Sequence, residues 1–297
     1  MFQLCTFLFG LVIGSFLSVC IFRIPYGREK GPGDFSLDAP DEGDTAAGSE
    51  VQPEGEKLTI FYPARSFCPH CRTQLRWFHN IPLFSWLFLR GRCGFCGAKI
   101  PAMYPMVELL SALSCLWAFQ LFDPPTAAVV YIFSAALIVL SFIDAEYYIL
   151  PNVITFPGMA LGIGVAAVNQ FWQPFTAPVV PDLMWSFWGL LAGGGFLFAV
   201  SEIYYLVRKR IGLGFGDVKL LAMTGLLFGP EVAIGTIFMG SLVGAVGGGL
   251  ALLISGNKLS KPLPFGPYLA LGTFLCIYLG IERLLQGYGY LVSLLLG

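Results

Sequence analysis

The sequence predicts an all-α polytopic membrane protein of about eight transmembrane helices, with a cytoplasmic four-cysteine zinc-binding loop domain. Three observations carry that expectation. Apolar residues fall in blocks of roughly 20, the length that crosses a hydrocarbon core. The cations gather in three of the intervening loops, and the first of those loops holds two CxxC pairs. In a 297-residue chain, 56% hydrophobic and 12% charged residues, with a mean hydropathy of +0.74, leave too little polar surface for a soluble protein. The net charge of −1 says nothing about partners, and no basic stripe points to nucleic acid.

Residues 2–22 read as a retained transmembrane helix, because no Lys or Arg precedes Arg23 and a secretory signal begins with positive charge. Residues 23–103 form the loop domain. Its 31–57 stretch combines Gly, Pro, Ser and Ala with eight acidic residues. Such a segment buries too little apolar surface to offset its ordering entropy and is expected to be a flexible insertion. The zinc-binding part covers 65–100. A transmembrane domain follows over 104–297, with spans at 104–122, 126–143, 152–171, 184–207, 218–229, 231–254 and 264–283. The 218–229 span is short for a crossing and is expected to tilt or sink among its neighbours. Residues 287–297 are too short to span and are assigned to the interface. The small-xxx-small spacings Gly189/Gly193 and Gly240/Gly244/Gly248 point to close helix packing.

Charge gives this chain a sidedness. Ten cations from Arg23 to Lys99 lie in the first loop, Arg208, Lys209, Arg210 and Lys219 in a second, and Lys258 and Lys261 in a third. With eight spans the three loops share one side, leaving only Arg283 of 17 cations opposite. Positive residues stay cytoplasmic, so the N-terminus is expected outside and the 23–103 loop inside.

Cys68-Pro-His-Cys71 and Cys93-Gly-Phe-Cys96, separated by 21 residues, have the spacing of a closed tetrahedral zinc site. A disulfide framework suits a cytoplasmic loop poorly, and a redox CxxC usually occurs once, in a βαβ context missing here. Reduced thiols are the remaining alternative. Four cysteines already close the site without His70, and His79 reads as a surface or packing residue. Cys5, Cys20, Cys115 and Cys276 lie in apolar spans and read as small buried hydrophobes.

Two aspartates mark the chemistry. Asp144 ends one apolar run and Asp217 begins another, within Gly212-Leu213-Gly214-Phe215-Gly216-Asp217. Ionisable residues at such positions are costly and raise a functional hypothesis. The charge distribution puts both at the cytoplasmic face. Glycines before Asp217 are expected to let an extended substrate backbone approach it, and Leu150-Pro151-Asn152 marks a break after Asp144. Two carboxylates sharing a proton hydrolyse peptide bonds, one as base toward water and the other as acid, and they titrate as a pair. The competing view is two ordinary helix-end acids in headgroup water. Glu146, Glu202 and Glu108 are rival carboxylates: Glu146 falls on another helix face, Glu202 stands near Arg208, and Glu108 opens the second span as a structural candidate.

Together these motifs resemble the bacterial type IV prepilin peptidases, bifunctional membrane enzymes of type IV pilus and type II secretion systems. The matching stretches are Gly14-Ser15-Phe16-Leu17, Arg23-Ile24-Pro25, Asn80-Ile81-Pro82-Leu83, Leu89-Arg90-Gly91-Arg92-Cys93, Tyr104-Pro105-Met106-Val107-Glu108, Ile143-Asp144, Leu150-Pro151-Asn152, Gly214-Phe215-Gly216-Asp217-Val218-Lys219 and Phe265-Gly266-Pro267. The resemblance implies a GxGD aspartic protease of the bacterial inner membrane, with Asp144 and Asp217 catalytic. It implies cleavage of prepilin and pseudopilin leaders after glycine. N-methylation of the new terminus from S-adenosylmethionine would follow. The four-cysteine loop belongs to the bifunctional members, and Gly91 and Arg92 beside it are candidates for the methylation half. Ser18, Met103 and Asn152 depart from the family's usual Asn, Arg and Asp. The alternatives are a peptidase without methylation, a transporter with a proton relay through Asp144 and Asp217, and an inactive prepilin-binding scaffold.

Overall fold

The computed structural model describes residues 1–25, 66–68, 70–209, 214–254, 263–284 and 286. The expectations for 31–57, Gly212, Lys258, Lys261 and 287–297 lie outside the described residues.

Among the described residues the regular elements are all helices, and two isolated β-bridges lie in the connecting chain. Six helical segments are long and apolar enough to cross a membrane. They are α1 (Phe2–Arg23), α3 (Met103–Leu121), α4 (Pro124–Tyr147), α5 (Asn152–Trp172), α6 (Leu183–Leu190) running on into α7 (Phe196–Arg208), and α8 (Phe215–Ile254). A short α2 (Phe84–Phe88) lies in the loop, and the apolar α9 (Gly266–Leu279) follows α8. The chain is therefore a multi-pass membrane protein. The expected count of about eight crossings is not reached by this measure. The spans drawn at 218–229 and 231–254 are the two halves of α8, which meet at a break at Gly229, and the last is the 14-residue α9.

Helix ends differ from the sequence expectation where it matters most. α4 runs to Tyr147, where Tyr148 in the left-handed region caps it by donating to the Asp144 carbonyl at 2.9 Å. α8 begins at Phe215. Asp144 and Asp217 are thus inside the last and first turns of their helices, not just beyond them. Polar residues in these turns hid the boundaries from a hydropathy reading.

The helices form two compact units. The first holds α1, the loop from Ser66, α3 and residues 127–139 of α4. Small residues set its packing: a Cβ at Gly10 or Gly14 would lie 2.6 Å from the α3 backbone at Ala112 or Glu108. Ser111 uses that proximity, donating its hydroxyl to the Gly10 carbonyl at 2.8 Å and meeting the Tyr131 hydroxyl at 2.9 Å. In lipid, where apolar side chains gain nothing from leaving hydrocarbon, such contacts replace hydrophobic burial as the cause of association.

The second unit holds residues 122–126, α4 from Leu140, and α5 through α9. Its centre is the first half of α8, where Leu220, Leu221, Met223 and Leu227 are fully buried. Gly189 of α6 sits against Gly225 so closely that a side chain on either would collide with the other's backbone. In the second glycine series Gly240 is tight against Leu269 of α9, and Gly244 faces the Tyr268 ring at ordinary contact distance. Both series are packing residues, as their spacing predicts.

α8 is broken at Gly229, whose φ of 84° only glycine adopts readily, and Pro230 starts the next stretch. Carbonyls freed at such a break must be satisfied internally in a membrane. Val180 N–H donates to the Leu227 carbonyl at 3.0 Å, and the Ser186 hydroxyl to that of Leu226 at 2.6 Å.

Gly189→Val is expected to destabilise the second unit by about 1–3 kcal/mol or more, as overpacking does. Gly164 has no neighbour near an added Cβ, so Gly164→Ala should be neutral or stabilise by up to about 1 kcal/mol. Thermal unfolding in detergent compares the two directly.

Candidate active site and metal centre

Asp144 and Asp217 lie in the second unit and are only 6% and 8% exposed. Asp144 acts electrostatically on Asp217, so the two carboxylates share one site. Burial excludes the reading of two solvated helix-end acids.

A third element completes the position of Asp144. The Gly266 N–H, at the start of α9, donates to Asp144 Oδ2 at 3.0 Å. A Cβ at Gly266 would stand 2.6 Å from that oxygen, so a larger residue would push the carboxylate aside. The first residues of a helix have amides with no partner inside it, and a carboxylate is a suitable acceptor for one. Sequence reasoning placed Gly266 only in a family stretch and gave it no role. Its signal is a Gly-Pro pair at a helix start, with proline at a position that needs no amide donor.

Of the glycines before Asp217, Gly216 has a packing use. A Cβ at Gly216 would come within 3.0 Å of Leu150, so this glycine makes room for the turn between α4 and α5. That turn also reaches α8 through Lys219, whose Nζ donates to Asn152 Oδ1 at 2.8 Å and lies 4.7 Å from the Phe215 ring centre. The departure at Asn152 is therefore a neutral acceptor for a lysine, placed two residues from Asp217. Leu150-Pro151-Asn152 breaks the chain as predicted, with Pro151 capping α5.

Glu108 sits in the first unit and is buried at 8% exposure. Its Oε2 accepts the Leu83 N–H at 2.8 Å, and the Ser15 hydroxyl also donates to it. Glu108 thus ties α1 and the loop to α3, a structural role. At Ser18, the second departure, the hydroxyl returns to the Gly14 carbonyl of its own helix at 3.2 Å.

The sulfurs of Cys68, Cys71, Cys93 and Cys96 lie within 4.8 Å of one another. Each pair is the tip of a small knuckle, closed by the bridges Phe67–Gln74 and Arg92–Lys99. Cys68 Sγ is 3.9 Å from Cys96 Sγ, close to the roughly 3.8 Å that a tetrahedral ion with about 2.3 Å metal–sulfur bonds requires. All four are unbridged thiols. Hydrogen bonds from Thr73 hold the Cys71 thiol down at about 6, and backbone N–H groups of Cys96 and Phe95 lower Cys93. Both effects favour the thiolate that a metal needs. The donor set fits a metal ion. His70 is exposed, and the His79 ring packs between Phe78 and Phe95 at 4.4 and 5.2 Å.

Gly91 is a turn residue at φ 67° whose N–H donates to Trp86 and whose carbonyl accepts from Ile100. Its backbone is thus spent on the loop's own closure, and the Trp86 ring stands 3.0 Å from where a Cβ would be. Arg92 is exposed.

The fold and site define a class: a polytopic membrane protein with paired buried aspartates and a four-thiol loop. Two family profiles match the chain. The Bacterial Peptidase A24 N-terminal domain covers residues 8–122, and the Type IV leader peptidase family covers 131–249. The prepilin leader peptidase/N-methyltransferase of Dichelobacter nodosus is 36% identical over 284 residues, spanning 95% of this chain and 93% of the relative. Proteins of the same name from Stutzerimonas stutzeri and Pseudomonas aeruginosa are each 35% identical over 280 residues, with 94% and 91% covered. No solved structure matches significantly. The chain belongs to the type IV leader peptidase family.

Metal analysis of the purified protein should find one bound ion per chain, and none in Cys71→Ser. That variant should also become trypsin-sensitive across 66–102. A protease-resistant loop in Cys71→Ser would remove the metal from the account.

Proposed function

We propose that this chain is an aspartic endopeptidase that removes the leaders of type IV prepilins and pseudopilins after glycine. It then N-methylates the new N-terminus from S-adenosylmethionine. The observation that carries the peptidase reading is the burial of Asp144 and Asp217 in one site, at the ends of two helices. A family match at comparable length supports it. One aspartate acts as base toward water while the other protonates the leaving amine, the two sharing a proton as like charges in proximity must. The Gly266 N–H holds one oxygen of Asp144, leaving its other oxygen for water or substrate. Helix-end placement favours chemistry at a membrane face over a relay near the midplane, which is what a transporter would use.

The active site faces the cytoplasm of the bacterial inner membrane, and the N-terminus faces the periplasm. The support is the cation distribution, read with the two halves of α8 and the shorter α9 each taken as a crossing. The loop ion is a structural zinc, supported by four sulfur donors and by the closed geometry. It holds the two knuckles and takes no part in peptide hydrolysis. S-adenosylmethionine supplies the methyl group, and the support for it is the double name borne by the relatives. Gly91 and Arg92 are the candidate residues to test for that half.

The test incubates purified protein with a prepilin, with and without S-adenosylmethionine, and reads cleavage and the methyl mass shift. Asp144→Asn and Asp217→Ala should each lower cleavage by about 10³-fold or more with metal content unchanged. Gly266→Ala should lower it by at least about tenfold by displacing Asp144. Cleavage retained in both aspartate variants would refute the pair. Cleavage without a mass shift would leave a peptidase alone.

A further inference from the structure

The loop between α1 and α3 carries a surface that peptide cleavage does not use. α2 turns Phe84, Leu87 and Phe88 to one side, at the i, i+3, i+4 spacing of a single helix face. They are 53%, 68% and 83% exposed. Trp77, in the short 3-10 turn Trp77–Asn80 just before α2, is 80% exposed. The inward side of α2 is otherwise occupied. Trp86 donates its indole N–H to the Ile100 carbonyl at 3.3 Å and packs on Gly91.

The stretch that carries this face has charge of one sign. Residues 66–102 contain Arg72, Arg76, Arg90, Arg92 and Lys99 and no acidic residue, and all five cations are exposed. Exposed apolar side chains and exposed cations in one short stretch suit the boundary between acyl chains and anionic headgroups.

The depth of α2 is also fixed. Its N-terminal flanking residue is Leu83, whose N–H is held by Glu108 at 2.8 Å. Glu108 is five residues into α3, about 8 Å along the helix from its start. Leu83 takes an unusual backbone conformation at φ 60° to make this contact. The loop is therefore pinned beside the first turns of a membrane helix, at interfacial depth.

We propose that α2 is an interfacial helix, which inserts Trp77, Phe84, Leu87 and Phe88 into the membrane surface while the five cations bind anionic lipid headgroups. Docking of this kind would hold the four-cysteine loop flat on the bilayer.

The test uses the full-length protein in nanodiscs containing phosphatidylglycerol with a photoreactive group at a shallow acyl position. Trypsin cuts after Arg76 and Arg90, so the face is recovered as the single peptide 77–90. That peptide should carry the lipid adduct. Labelling should fall at least about fivefold in Leu87→Glu/Phe88→Glu, and similarly in Arg72→Gln/Lys99→Gln or with phosphatidylcholine as the photoreactive and bulk lipid. The second variant leaves the apolar face intact and guards against a folding defect in the first. An unlabelled 77–90 peptide, labelling indifferent to both variants or to lipid charge, or cross-linking of the peptide to another chain in place of lipid would each overturn the proposal.

Discussion

A carboxylate placed among apolar helices must be given a donor or a partner, because burial without one is expensive. Asp144 receives the Gly266 amide from the open end of α9, and Asp217 lies within its electrostatic reach. Everything local to the site follows from keeping these groups in place. α4 has to continue to Tyr147, α8 has to begin at Phe215, and position 266 has to lack a side chain. Lys219 and Asn152 tie the start of α5 to that of α8 beside the same site.

The same constraint governs the rest of the chain. Close approach at Gly10, Gly14, Gly189 and Gly225 lets backbones touch where hydrophobic burial supplies no drive. At the Gly229 break, α8 gives up its regular ladder, and Val180 and Ser186 take up the carbonyls left over. Glu108 is a third buried acid, satisfied by a backbone amide of the loop and thereby fixing that loop to α3. In each case a polar group in an apolar setting has been given a specific partner, and that partner defines the architecture.

Much of this was legible in the sequence. Hydropathy located each span to within a few residues, because about 20 apolar residues in a row have few other uses. The CxxC spacing located a four-sulfur cluster, since short pairs bring their thiols together locally. The glycine series announced their packing. What escaped depends on contacts distant in sequence. The bond from Gly266 to Asp144 spans 122 residues, and no local pattern reveals it. The use of Gly216 depends on Leu150 arriving from another turn. The closure of the loop at Gly91 depends likewise on Trp86 and Ile100, which hydrogen-bond its backbone.

The central claim is that Asp144 and Asp217 act as one catalytic unit. The direct measurement is kcat/KM for cleavage of a prepilin peptide by Asp144→Asn, Asp217→Asn and the double variant. Groups that work as a unit lose nearly all their effect when either is removed. Each single variant should therefore fall by about 10³-fold or more, and the double variant no further. Two modest single losses that multiply in the double variant would contradict the account.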